Sequence, residues 1–82
     1  MVKRPKRKNI VGKRVAEARR GCQPVLTQDA LSGKLAGVGI QLDRAAIAKI
    51  ESDARHVLDY ELKALAEVLG VDVGWLLGDE TK

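Results

Sequence analysis

One cysteine, Cys22, and one histidine, His56, are all the chain offers in its 82 residues. A lone cysteine cannot form an internal disulfide, which fits a reducing cytoplasm. Zinc fingers, ribbons and knuckles need three or four Cys or His ligands at set spacing, so no metal centre and no cofactor is expected. Phenylalanine is absent, and Tyr60 and Trp75 are the only aromatic residues. Domains that grip single strands stack bases on aromatic rings, so RNA-recognition sheets and oligonucleotide barrels fit poorly. No apolar run approaches the roughly 18–20 residues of a membrane span. The basic N-terminus continues into charged residues rather than the apolar stretch of a signal peptide. A soluble, cytoplasmic protein without a membrane partner is expected. Gly37-x-Gly39 lacks the preceding strand, the third glycine and the Lys-Ser/Thr of a phosphate cradle, so no small-molecule ligand is evident. Cys22, His56 and an aspartate could in principle form a nucleophilic site, but a domain this small offers no pocket for one, and the chain reads as no enzyme.

Charge, by contrast, is plentiful and unevenly placed. The net charge is +4, which favours a polyanionic partner. Residues 1–20 carry nine Lys/Arg and one acid, a balance of +8, whereas residues 21–82 hold six bases and ten acids, a balance of −4. The basicity therefore belongs to the N-terminal segment and not to the whole chain. Residues 1–9 hold five cations (Lys3, Arg4, Lys6, Arg7 and Lys8) and Pro5, with too little apolar surface to nucleate packing, and they read as a flexible basic arm.

From Ile10 the pattern turns helical. Ile10, Val11, Val15 and Ala18 fall at helical spacing, and Gly21 is placed to end the first helix in a left-handed conformation. Thr27 is a good N-cap for a second helix, flanked by the staple pair Leu26 and Leu31, with Leu35 on the same stripe and Gly37 and Gly39 at its end. Asp43 repeats the arrangement for a third helix, with Leu42 and Ile47 as staple and Ile50 further along. Asp59 is placed to cap a fourth, whose Leu62, Leu65, Ala66 and Leu69 repeat at i, i+3, i+4 and i+7 before Gly70. Asp72 is placed to cap a short fifth turn containing Trp75 and Leu76, with Val71 and Leu76 as staple and Gly78 closing it. Val38, Ile40 and Leu42 alternate, but between two glycines and a cap they read as a loop pinned by apolar anchors. The chain thus divides into an arm over 1–9, an all-α domain of five helices over 10–78 and a polar tail over 79–82.

Leu26-Thr27-Gln28 opening one helix and Ile47-Ala48-Lys49-Ile50-Glu51 closing the next is a helix-turn-helix pattern. With Asp59-Tyr60-Glu61-Leu62, the run from Leu65 to Val71 and Trp75-Leu76-Leu77, the chain resembles the lambda-repressor-like, Cro/Xre family of DNA-binding domains. The likeness covers residues 10–78. The connection between the two motif helices, Ala36 to Leu42, is about four residues longer than the family's usual turn, a change that costs little in closure entropy.

That resemblance implies a compact lambda-repressor-like domain that binds the major groove of double-stranded DNA. By helical angle Ala46, Ile47 and Ile50 turn inward, leaving Arg44, Ala45, Ala48 and Lys49 outward. The family's matching positions read base edges, and the chemistry agrees: Arg or Lys pairs with guanine, and a small Ala meets a thymine methyl. Phosphate contacts are implied for Gln28, with the neighbouring caps Thr27 and Asp43, and for Arg55 and His56 after the recognition helix. Arg19 and Glu51 match a salt bridge that ties the first helix to the end of the third. A sequence-specific transcriptional regulator, a repressor acting by occupying its operator, is the function implied. The alternative is an antitoxin-type protein-interaction module that binds DNA for autoregulation. A homodimer is expected, because one recognition helix reads too few base pairs for specificity, and Val71, Val73, Trp75, Leu76 and Leu77 crowd apolar bulk into one short segment.

Overall fold

The computed structural model describes residues 7–79. Five helices occupy them: α1 (Gly12–Arg20), α2 (Gln28–Gly37), α3 (Arg44–Glu51), α4 (Asp59–Leu69) and α5 (Val73–Leu76). Among the described residues there is no strand, and no helix is long and apolar enough to cross a membrane. The all-α, five-helix architecture is therefore the one the periodicity predicts. Arm residues Lys3, Arg4 and Lys6 lie outside the described residues.

The core forms where the apolar stripes converge. Val15 of α1, Leu31 and Leu35 of α2, Ile47 and Ile50 of α3, Leu65 of α4 and Leu76 of α5 are all fully buried. Each such side chain contributes roughly 1.5–3 kcal/mol by leaving water. Helix α4 touches α1, α2 and α5, and its buried face is broad, taking in Ala64, Leu65, Ala66 and Leu69. Leu42 and Ile40 anchor the α2–α3 connection, Leu42 buried and Ile40 packed against the core, while Val38 stays exposed.

Helix ends are set by local chemistry. Thr27 Oγ1 accepts from the Ala30 amide at 3.0 Å and Asp43 Oδ1 from the Ala46 amide at 2.8 Å, so both N-caps form as the sequence predicts. Helix α2 closes in a Schellman motif, with Ile40 N–H donating to the Leu35 carbonyl at 2.9 Å and Gly39 N–H to Ala36 at 3.0 Å. That turn needs φ +86° at position 39, which glycine adopts without a Cβ penalty.

Four expectations change. Gly21 has φ −81°, so α1 ends without a left-handed residue. Asp59 is the first residue of α4 and not its cap: Leu58 takes the cap position, and the Glu61 carboxylate reaches back to the Leu58 amide at 3.0 Å. Ile10 is half exposed and lies before the helix rather than in the core. Residues 8 and 9, read as part of the arm, are fastened to the fold, the Lys8 and Asn9 amides both donating to Asp53 Oδ1 at 2.9 Å.

Asn9 is the reason for that last difference. Its Oδ1 accepts from the Val11 and Gly12 amides at 3.1 and 2.8 Å, satisfying the start of α1. Its Nδ2 donates to the carbonyls of Ile50 at 3.1 Å and Arg55 at 2.9 Å, fastening the turn after α3. Asp53 answers from the other side in a left-handed conformation, φ +64°, which closes α3 while its carboxylate holds residues 8 and 9. Gly12 lets the two backbones meet: a Cβ there would overlap the Ile50 carbonyl. Gly12→Ala should therefore destabilise the domain by about 1–3 kcal/mol or more, since backbone must shift. Gly33→Ala, at a helical site with open space around it, should stabilise by roughly 0.5–1 kcal/mol. Urea midpoints of the two variants check both signs.

Candidate nucleic-acid interface

Helices α2 and α3 pack on each other, and one ion pair from α1 sets how they do so. The Arg19 side chain is about 10% exposed and that of Glu51 about 8%. Arg19 Nε donates to Glu51 Oε2 at 2.7 Å and Nη2 to Oε1 at 3.0 Å, a bidentate fork. Arg19 Nη1 donates to the Leu26 carbonyl at 3.0 Å, just before α2. Gln28, the first residue of α2, donates its Nε2 to Glu51 Oε1 at 3.0 Å. The end of α1, the start of α2 and the end of α3 are thus joined through three side chains, Arg19, Gln28 and Glu51. Hydrogen bonding to Glu51 raises the Arg19 pKa above its ordinary value against the opposing effect of burial, and the Glu51 charge adds to the rise.

On this frame α3 presents Arg44, Ala45 and Lys49 to solvent. Ala48 is half-buried, so the outward surface is narrower than four full positions. Arg44 borders a shallow groove shared with Thr27, Gln28 and Asp29, which brings the first turn of α3 beside the first turn of α2. Guanidinium and lysine ammonium groups on such a face can donate to guanine O6 and N7, and the Ala45 methyl can meet a thymine methyl.

The implied phosphate residues divide into several situations. Gln28 stands at the α2 N-terminus, but its amide nitrogen is held by Glu51, so a phosphate there would rely on the backbone N–H groups of the first turn that the Thr27 cap does not take. Thr27 and Asp43 both spend a side-chain oxygen on capping, and the Asp43 carboxylate repels an anion, so a phosphate there could use only backbone N–H groups. Arg55 is turned toward Glu61, with Nη1 to Oε1 at 3.0 Å and Nη2 to Oε2 at 3.3 Å, and its side chain is about 29% exposed. Its main role in the fold is to latch the turn after α3 onto α4. His56 is exposed in that same turn.

Two contacts elsewhere bear on the site. The Arg14 guanidinium lies 4.6 Å from the Trp75 ring centroid, and its Nη1 donates to the Trp75 carbonyl at 3.0 Å, fixing α5 on α1. Trp75 is half-buried against the core, which leaves it no role as an open stacking platform. Asn9, Asp53 and Glu61 are the site-positioning residues that helical periodicity does not reveal. Asn9 precedes an apolar run at the spacing of a cap, the one local signal it carries.

Comparison with protein-family models, with curated proteins and with solved structures returns no match.

Removing Glu51 leaves a buried guanidinium without its partner. Glu51→Ala should accordingly destabilise by about 3–5 kcal/mol, whereas replacing Arg19 and Glu51 together by Met and Leu should recover most of the loss in denaturant titrations. The Arg55–Glu61 latch predicts a pH dependence. Burial alone would raise the Glu61 carboxyl, but the Arg55 hydrogen bonds, the Leu58 amide and the Arg55 charge together hold it below its ordinary value. A depressed carboxylate adds stability that is present above its unfolded pKa, roughly 4.3, and is lost as pH falls through the folded value. Glu61→Gln should lower stability at neutral pH and flatten the stability curve below about pH 4.5. Thermal melts from pH 7 to 2.5 read this directly.

Proposed function

We propose that this chain is a lambda-repressor-like, Cro/Xre-type helix-turn-helix regulator that binds double-stranded DNA by sequence in the bacterial or phage cytoplasm and represses by occupying an operator. One observation carries the reading: α3 exposes Arg44, Ala45 and Lys49, its Arg44 lies beside the α2 N-terminus, and the largely buried Arg19–Glu51 pair with Gln28 holds the two helices together. A rigid helix presenting base-matching donors next to a phosphate-compatible helix start is what major-groove docking requires. Helix α3 reads base edges, the α2 start sets register on the backbone, and the basic arm adds salt-sensitive affinity.

The working unit in this reading is a homodimer. One recognition helix reads only a few base pairs, and a second copy on an inverted repeat doubles the contacts that build the roughly 4–10 kcal/mol separating specific from nonspecific binding. Val73 and Leu77 remain exposed on the C-terminal segment while Leu76 is buried, so the apolar surface left there for a second copy is those two side chains with the uncovered parts of Val71 and Trp75.

Selection from random duplexes with the purified protein should return an inverted repeat with half-site centres about 34 Å apart. On that operator Arg44→Ala should cost about 1–3 kcal/mol and relax the preference at one base pair, measured on single-base variants. Equal losses on every sequence would remove Arg44 from the base-reading set, and an unselective library would sink the regulator reading.

A further inference from the structure

A groove runs between α1 and the turn that follows α3, bordered by Arg7, Lys13 and Arg20. All three cations are exposed, and among the described residues none has an ion pair or a side-chain hydrogen bond. The carboxylates that share the groove are already engaged. Glu51 is neutralised by Arg19 and also accepts from Gln28. Asp53 accepts the Lys8 and Asn9 amides. Three free cations therefore face one carboxylate that no cation pairs. Glu17, the only acid of α1, lines a different groove with Cys22 and Trp75.

The negative end of α3 opens here and would normally repel an anion. Three of its last carbonyls are engaged: Ile50 O accepts from Asn9 Nδ2 and the Asp53 amide, Lys49 O from the Ala54 amide and Ala48 O from the Ser52 amide. Lys13 and Arg20 stand two helical turns apart on one side of α1, a separation of roughly 10.5 Å at 1.5 Å per residue. Phosphates on one strand advance about 3.4 Å along the duplex axis per nucleotide, so a separation of this size lets the two cations meet different phosphates of one strand.

We propose that this groove seats a phosphodiester backbone, with Lys13 and Arg20 as its contacting cations, next to the last turn of the helix whose first turns face the bases. The inference rests on the DNA-binding reading and extends the interface from α2 and α3 to α1. It assigns affinity and not sequence choice to these residues, because a phosphate contact carries no base information.

The test compares the full chain with Lys13→Gln, Arg20→Gln and the double variant, using Lys63→Gln on α4 as a charge-matched control for each single change. Each protein is titrated with the selected operator and with a scrambled duplex of equal length across a salt series. The double variant should flatten the slope of log affinity against log salt by up to about 1.8, at 0.9 per contact, while Lys63→Gln leaves it unchanged. Affinity for both duplexes should fall by the same factor, so their ratio persists. A slope equal to that of the wild type, or an equal flattening by Lys63→Gln, overturns the groove and leaves the DNA reading intact. Loss of the operator-to-scrambled ratio in the double variant overturns it as well. Failure of the wild type to bind any duplex overturns the DNA reading itself, and the groove with it.

Discussion

The Arg19–Glu51 pair is the constraint on which the α2–α3 geometry depends. Its strength lies in direction more than in energy: a bidentate fork tolerates little rotation, and burying two charges costs much of what their attraction returns. Because Glu51 also takes the Gln28 amide and Arg19 also takes the Leu26 carbonyl, α2 cannot swing relative to α3 without breaking a buried polar contact. Such a swing would leave unpaired donors out of reach of water, the costliest outcome for buried polar groups. The exposed face of α3 inherits its orientation from that pair.

A second polar joint acts at the opposite end of α1. Asn9 bonds two amides of its own helix start, the Ile50 carbonyl in the last turn of α3 and the Arg55 carbonyl in the turn that follows, and Asp53 completes the ring with the Lys8 and Asn9 amides. Helix α1 is thereby fastened to the end of α3 by side chain–backbone bonds at its start and by an ion pair near its finish. Gly12 sits between these fastenings, where the Ile50 carbonyl leaves no room for a Cβ. Apolar burial makes the domain compact, and these polar joints decide the angles at which its helices meet.

The same joints give several cations different duties. Arg19 and Arg55 are structural, held by Glu51 and Glu61, and Arg14 braces α5 through Trp75. Arg44 and Lys49 on α3, and Lys13 and Arg20 on α1, keep their charges in solvent. A count of basic residues cannot separate the two groups, since both are Lys and Arg within a few positions of one another. Burial and the position of the nearest carboxylate separate them.

Much of the fold was legible in the order of residues, because a helix's apolar period and its caps are local properties. Leu62, Leu65, Ala66 and Leu69 define α4 by spacing alone, and Thr27 and Asp43 mark helix starts because a short polar side chain satisfies an amide two or three residues on. The inward turn of Ile47 and Ile50, and with it the exposure of Arg44 and Lys49, follows from the same period. Other features depended on contacts between residues far apart in sequence. Asn9 reads as part of a charged arm until the carbonyls of Ile50 and Arg55 stand beside it. Arg55 reads as a phosphate contact until Glu61 takes its guanidinium, and the need for glycine at position 12 shows only where α3 ends against it. Local periodicity tells which face of a helix leaves water; only the assembled chain decides which donor meets which acceptor, because that pairing is settled by distances the sequence does not encode one residue at a time.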